Sequence, residues 1–178
     1  MNYMYVGATP EVDRQALAVI RHQALPRFGA PVKQLQLDDI AFAYDAARNQ
    51  YGSIPVLEML ARRTPPDAHK LLAVTERDLF IPVLTFVFGH ALLGGAVGVV
   101  SLARLRQEFY GLTPDRDVFW ARAVKEALHE TGHLFGLVHC TDRSCAMSLA
   151  TNVRQIDGKQ ADFCPRCGAR LPKSGELR

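Results

Sequence analysis

From the N-terminus, short apolar runs alternate with longer segments in which polar and apolar positions mix at helical spacing. Tyr3 to Val6 reads as a short strand, Pro10 to Leu25 as a helix and Gln34 to Leu37 as a second strand. Asp38 or Asp39 is placed to cap a second long helix through Ala43 to Arg63. The loop RRTPPDAHK then leads into LLAVTERD, whose apolar start suits a buried strand. This β-α-β-α-β order predicts an α/β (α+β) fold with a mostly parallel twisted sheet covered by helices.

FVFGHALL and AVGVVSL follow one another too closely for a crossover helix, which parallel neighbours need, so they pair as a hairpin. One strand then runs antiparallel at the sheet edge, with backbone groups open to an extended peptide or simply to solvent. The stretch from Phe80 to Ala103 lacks Asp, Glu, Lys and Arg and could span a bilayer as a helix. Pro82, Gly89, His90, Gly94, Gly95 and Gly98, with β-branched residues on either side, favour strands instead.

After Leu112, Thr113 is a candidate N-cap, Pro114 fits the first helical position, and Asp115 and Asp117 complement the positive end of the dipole. Trp120, Val124, Leu128, Thr131 and Phe135 then form a buried stripe at spacings of three and four, and Gly136 ends the helix. From Leu137 to Arg178 the pattern is irregular, with cysteine pairs in place of apolar periodicity and LPKSGELR as a loose tail.

With 178 residues, 48% of them hydrophobic, the chain fits one domain with its own core. The net charge of +3 comes from dispersed basic residues, which argues against nucleic acid as the main partner. The N-terminus lacks a basic segment followed by an apolar one, so a reducing, cytoplasmic setting is expected.

Within that frame, HETGHLFGLVH places His129 and His133 four residues apart on one helix face, where two imidazoles reach one metal ion. Glu130 lies about 100° further round the helix, free to act on a water as general base. A solvated helix face can produce the same five-residue pattern by chance. Gly136, however, lets the chain turn so that His139 returns as a third ligand, and three histidines leave the fourth zinc position open, as a catalytic site requires. His22, His69 and His90 lack ligand spacing and read as structural or surface residues.

All four cysteines, Cys140, Cys145, Cys164 and Cys167, lie beyond residue 139. Paired hooks in a reducing compartment favour an all-cysteine zinc site, with two disulfides or a redox C-x-x-C as alternatives.

The pattern H-E-x-x-H-x-x-G-x-x-H resembles the metzincin metallopeptidases, and within that clan the archaemetzincins. In those the third histidine is followed at once by Cys, then by C-x-M and by a C-x-x-C pair. Here these are His139-Cys140, Cys145-Ala146-Met147 and Cys164-Pro165-Arg166-Cys167. The resemblance implies two zinc ions per chain, one catalytic and one structural, with Met147 a floor beneath the first and not a ligand. It also implies an upper subdomain, 1–136, ending in the active-site helix, and a zinc-stapled lower one, 137–178. The first hairpin strand, around Phe86 to Ala91, is implied as the edge that holds substrate. With no Tyr at 148 or 149, no tyrosine ligand is expected.

The expected activity is zinc-dependent hydrolysis of peptide or protein substrates by a monomer without nucleic-acid or membrane partners. The alternatives are a catalytically silent peptide-binding protein of the same fold, and a zinc ribbon that binds nucleic acid through Arg143, Arg154, Lys159, Arg166 and Arg170. Because His139 and Cys140 are adjacent, the two metal sites should be coupled.

Overall fold

The computed structural model describes residues 3–172. In chain order the elements are β1 (Tyr3–Ala8), α1 (Arg14–Val19), β2 (Val32–Gln36), β3 (Tyr44–Asp45), β4 (Gln50–Gly52), α2 (Ser53–Arg63), β5 (Ala68–Thr75), β6 (Leu79–Phe80), β7 (Gly89–Ala91), β8 (Val97–Ser101), α3 (Arg116–Leu134), α4 (Val153–Asp157) and α5 (Pro165–Gly168). Five strands form the main sheet in the order β2-β1-β5-β8-β7. The pairs among β2, β1, β5 and β8 are parallel, and β7 runs antiparallel to β8 at the edge. The mostly parallel sheet and its antiparallel edge strand match the sequence reading, and the edge is the first strand of the hairpin.

Alternating strand residues serve two cores, which is why the central strands read as unbroken apolar runs. Met4, Val6, Leu72, Val74 and Val100 pack with Ile20, Ala127 and Leu128 beneath α1 and α3. Tyr5, Leu71, Val97 and Val99 pack with Leu57 and Leu60 of α2 on the other face.

The first helix begins later than Pro10, at Arg14, where the Asp13 carboxylate accepts from the Gln15 and Ala16 N–H groups. It widens over Ile20–Ala24 and tightens over Leu25–Phe28, because Pro26 has no N–H to continue the regular bonding. The expected continuous helix from Asp38 or Asp39 through Ala43 to Arg63 is absent: Ala41–Ala43 makes a single 3-10 turn, and only the second half, Ser53–Arg63, is α-helical. Asp39 and Asp45 accept from N–H groups two and three residues ahead, which favours turns over helix. Asn49 sits at φ 52, and β3, β4 and β6 form a small second sheet.

The cap of α3 is Asp115 and not Thr113, since Asp115 Oδ1 accepts from the Val118 N–H at 3.0 Å. Thr113 and Pro114 precede the helix. The stretch 80–103 forms loops and the two hairpin strands, and among the described residues no helix is long and apolar enough to cross a membrane. Among the described residues beyond α3 only α4 and α5 interrupt an irregular chain, and most of the expected tail, 173–178, lies outside the described residues.

Candidate active site

Helix α3 carries His129, Glu130 and His133 toward the cleft beneath the edge strand. The helix ends in a tight cap, with Gly136 at φ 81 donating to His133 O and Leu137 donating to Gly132 O. This cap points the Leu137 carbonyl back at His133, whose Nδ1–H donates to it at 2.7 Å. His129 Nδ1–H likewise donates to Ala146 O at 2.9 Å. A carbonyl can only accept, so both Nδ1 atoms carry the proton and both Nε2 atoms expose lone pairs.

Those two Nε2 atoms lie 3.1 Å apart. His139 closes the group, its ring 5.3 Å from that of His129 and 5.0 Å from that of His133. One ligand atom from each of the three lies within 4.8 Å of the others. Facing lone pairs repel unless a cation lies between them, and tetrahedral nitrogen ligands of zinc stand about 3.3 Å apart. The donor set thus fits a zinc ion. Burial pushes all three imidazoles down, His129 furthest, and keeps them in the neutral form that binds metal.

Glu130 is buried against Gly89 of β7, and burial, reinforced by Glu126, pushes its carboxyl well above the usual range. Glu126 lies one helical turn earlier and pairs with Lys159 at 3.1 Å, both side chains buried. Beneath the helix, Met147 is fully buried with its sulfur against Gly132, where a Cβ would have no room.

The four cysteines come together as the sequence expects, with Cys140 Sγ 3.8 Å from Cys164 Sγ. No pair of them is disulfide-bonded. That spacing equals the separation of tetrahedral thiolates about 2.3 Å from zinc. The Met147 and Cys164 N–H groups donate to Cys145 Sγ, and Arg166 donates to Cys140 Sγ at 3.3 Å. Burial pushes the Cys140 thiol up, but Arg166 and the Asp142 backbone outweigh it and bring the thiol to about 7. The cluster therefore fits a thiolate-bound metal as well.

A cavity of about 340 Å³ runs past Glu126, His129, Glu130, His133 and His139, with residues 81–91 on one side and Leu149, Ala150 and Thr151 on the other. His90, read from sequence as structural or surface, lines this cavity, with Nδ1 2.9 Å from Ser53 Oγ. His22 is exposed, and His69 packs beside Phe135. Glu126, Lys159 and Gly89 are not among the active-site residues that the sequence points to, and Lys159 enters there only as a basic residue of the nucleic-acid alternative. Of these only Glu126 carried a signal, its spacing of four from Glu130. Among the five basic residues of the nucleic-acid reading, Lys159 is buried on Glu126 and Arg166 is bonded to Cys140, which removes both from any continuous basic surface.

Residues 67–173 match the model of peptidase family M54. The archaemetzincin of Methanocaldococcus jannaschii is 39% identical over 165 residues, covering 93% of this chain and 90% of its own. That of Pyrococcus furiosus is 40% identical over 151 residues, covering 82% and 78%. The crystal structure of archaemetzincin from Methanopyrus kandleri superposes with a TM-score of 0.84 at 32% identity, covering 96% of this chain and 93% of that one. The structure from Archaeoglobus fulgidus gives 0.80 at 33%, covering 94% and 99%. Agreement in sequence and in fold over nearly the whole length places the chain in peptidase family M54, the archaemetzincins, and makes it a zinc metallopeptidase.

Proposed function

We propose that His129, His133 and His139 hold the catalytic zinc and that Glu130 is the general base and acid of peptide hydrolysis. The observation that carries this reading is the facing pair of Nε2 lone pairs, 3.1 Å apart, with each Nδ1–H already committed to a carbonyl. A zinc ion bound there supplies Lewis acidity to a water and to the scissile carbonyl. Glu130 takes a proton from that water and later delivers it to the leaving amine. Burial in the cleft, reinforced by Glu126, raises the Glu130 carboxyl above its usual range, which strengthens it as a proton acceptor.

Substrate lies extended along β7, pairing with the open side of the edge strand. Cys140, Cys145, Cys164 and Cys167 hold a second, structural zinc, and Met147 forms a floor under the first. Gly136 divides the chain into an upper subdomain, 1–136, and a lower one, 137–178, where the cysteine zinc takes the place of a larger apolar core.

Metal analysis combined with cleavage of a mixed peptide library tests the reading on the wild type and on Glu130→Ala. Two zinc ions per chain are expected in both proteins, with cleavage in the first and a loss of at least about 100-fold in the second. Undiminished cleavage by Glu130→Ala would end the assignment of the base.

A further inference from the structure

We infer that Gly89 is a positioning residue for Glu130: the missing side chain at this point of the edge strand is the seat of the Glu130 carboxyl. The inference deepens the role proposed for Glu130 and rests on it.

The hairpin register sets which way Gly89 faces. Gly89 is opposite Val100, His90 opposite Val99 and Ala91 opposite Gly98. The Ser101 N–H donates to Phe88 O at 2.8 Å, and the Leu92 N–H reaches toward Val97 O at 3.5 Å. Inward hydrogen bonding alternates along an antiparallel strand, so Phe88, His90 and Leu92 bond to β8 while Gly89 and Ala91 present N–H and C=O at the open edge. The side-chain direction at Gly89 is toward α3. A Cβ there would lie 2.5 Å from Glu130 Cγ and 2.6 Å from both Cδ and Oε1. Contacting carbon atoms prefer about 3.5–4.0 Å, so a single methyl group requires the carboxyl to shift by roughly 1 Å.

Backbone conformation does not explain the glycine. Gly29, Gly94, Gly111 and Gly136 have positive φ, whereas Gly89 is ordinary strand backbone that any residue adopts. Gly94 and Gly136 show the opposite pattern, with positive φ and open space where a Cβ would go. What Gly89 provides is room, and the room is filled by Glu130. No hydrogen bond from the described residues fixes that carboxyl, so its packing on Gly89 sets its direction. The same residue offers its backbone to an extended substrate, which ties the position of the substrate strand to that of the base.

The test is a double-mutant cycle on the zinc-loaded protein, using Gly89→Ala, Glu130→Ala and the two combined. In Gly89→Ala, kcat for a cleaved reference peptide is expected to fall about 100-fold, as for a 1 Å misplacement, with KM within roughly threefold and zinc per chain unchanged. Its Tm falls by roughly 2–12 °C in the Glu130 background, as for overpacking, and by no more than about 1 °C in the Glu130→Ala background. If Gly89→Ala does not fold, folding of the double variant replaces the Tm comparison. Retained kcat in Gly89→Ala, an equal Tm loss in both backgrounds, or a double variant that also fails to fold overturns the inference. The Tm comparison does not depend on Glu130 acting as the base, so a failed seat and a failed base remain distinguishable.

Discussion

Replacing Lys159 by Met probes the charge balance directly behind the cleft. The Lys159 side chain has 0% exposure, that of Glu126 has 4%, and they meet at 3.1 Å. Met keeps the apolar volume and deletes the ammonium. Removing one partner of a buried pair costs about 3–5 kcal/mol, because the other charge stays desolvated and alone. Here the abandoned carboxylate also stands one helical turn from Glu130, a second buried acid. At roughly 2–4 °C per kcal/mol for a domain of this size, Tm falls by about 6–20 °C at pH 8. The deficit depends on pH in a defined direction. Burial pushes the Glu126 carboxyl up even with Lys159 opposing it, and without Lys159 it rises further. A folded-state pKa above the unfolded value means the folded state binds more protons, so the stability lost at high pH returns as pH falls through the folded value. Thermal unfolding of the zinc-loaded protein, with wild type measured alongside from pH 5 to 8, should show the largest deficit at pH 8. Glu126→Gln combined with Lys159→Met should recover most of it, since no buried charge is then unpaired. A deficit that does not change with pH, or a double variant no better than the single one, refutes the reasoning.

Gly132→Ala drives a methyl group into the Met147 sulfur where both are buried, so about 1–3 kcal/mol of stability is lost. Zinc affinity at the histidines should fall with it, and adding Met147→Ala should restore part of both, as read by calorimetric zinc titration and Tm. Cys164→Ser with Cys167→Ser should lower occupancy of the histidine site as well as that of the cysteine site, measured as zinc per chain after dialysis. Unchanged histidine-site occupancy in a folded protein would show that the two sites are independent.

The legible parts of the molecule were those fixed by local spacing. His129, Glu130 and His133 share one helix, and Gly136 and His139 follow within a single turn and loop, so helix geometry and one local turn bring them together. The hairpin was legible because too few residues separate its strands for any other connection. The segment from Asp38 to Gly52 departs from its sequence pattern because its polar residues suit a helix cap and a turn equally, and pairing of β4 with β6 decides for the turn. Lys159 looked like a surface cation because nothing near it in sequence reveals that Glu126, 33 residues earlier, awaits it in the core. His90 has no ligand spacing, and only the edge register places it on the cavity.

The short segment from Cys145 to Ser148 explains why the two proposed metal sites should behave as one. Cys145 contributes to the thiol cluster, the Ala146 carbonyl fixes the tautomer of His129, and the Met147 side chain supports Gly132. The Met147 carbonyl also accepts from the Cys140 N–H at 2.9 Å, and Cys140 is bonded in sequence to His139. A displacement of this segment therefore acts on two of the three histidines through different atoms. It reaches His129 through a hydrogen bond and His139 through the backbone. His133, held by the Leu137 carbonyl at the end of its own helix, has no hydrogen bond or chain link to this segment and feels it only through packing, since Leu137 is buried against Cys145 and Met147. Loss of the cysteine zinc should consequently leave a site with one well-placed imidazole and two misplaced ones, which cannot retain zinc at the affinity of three ligands held together.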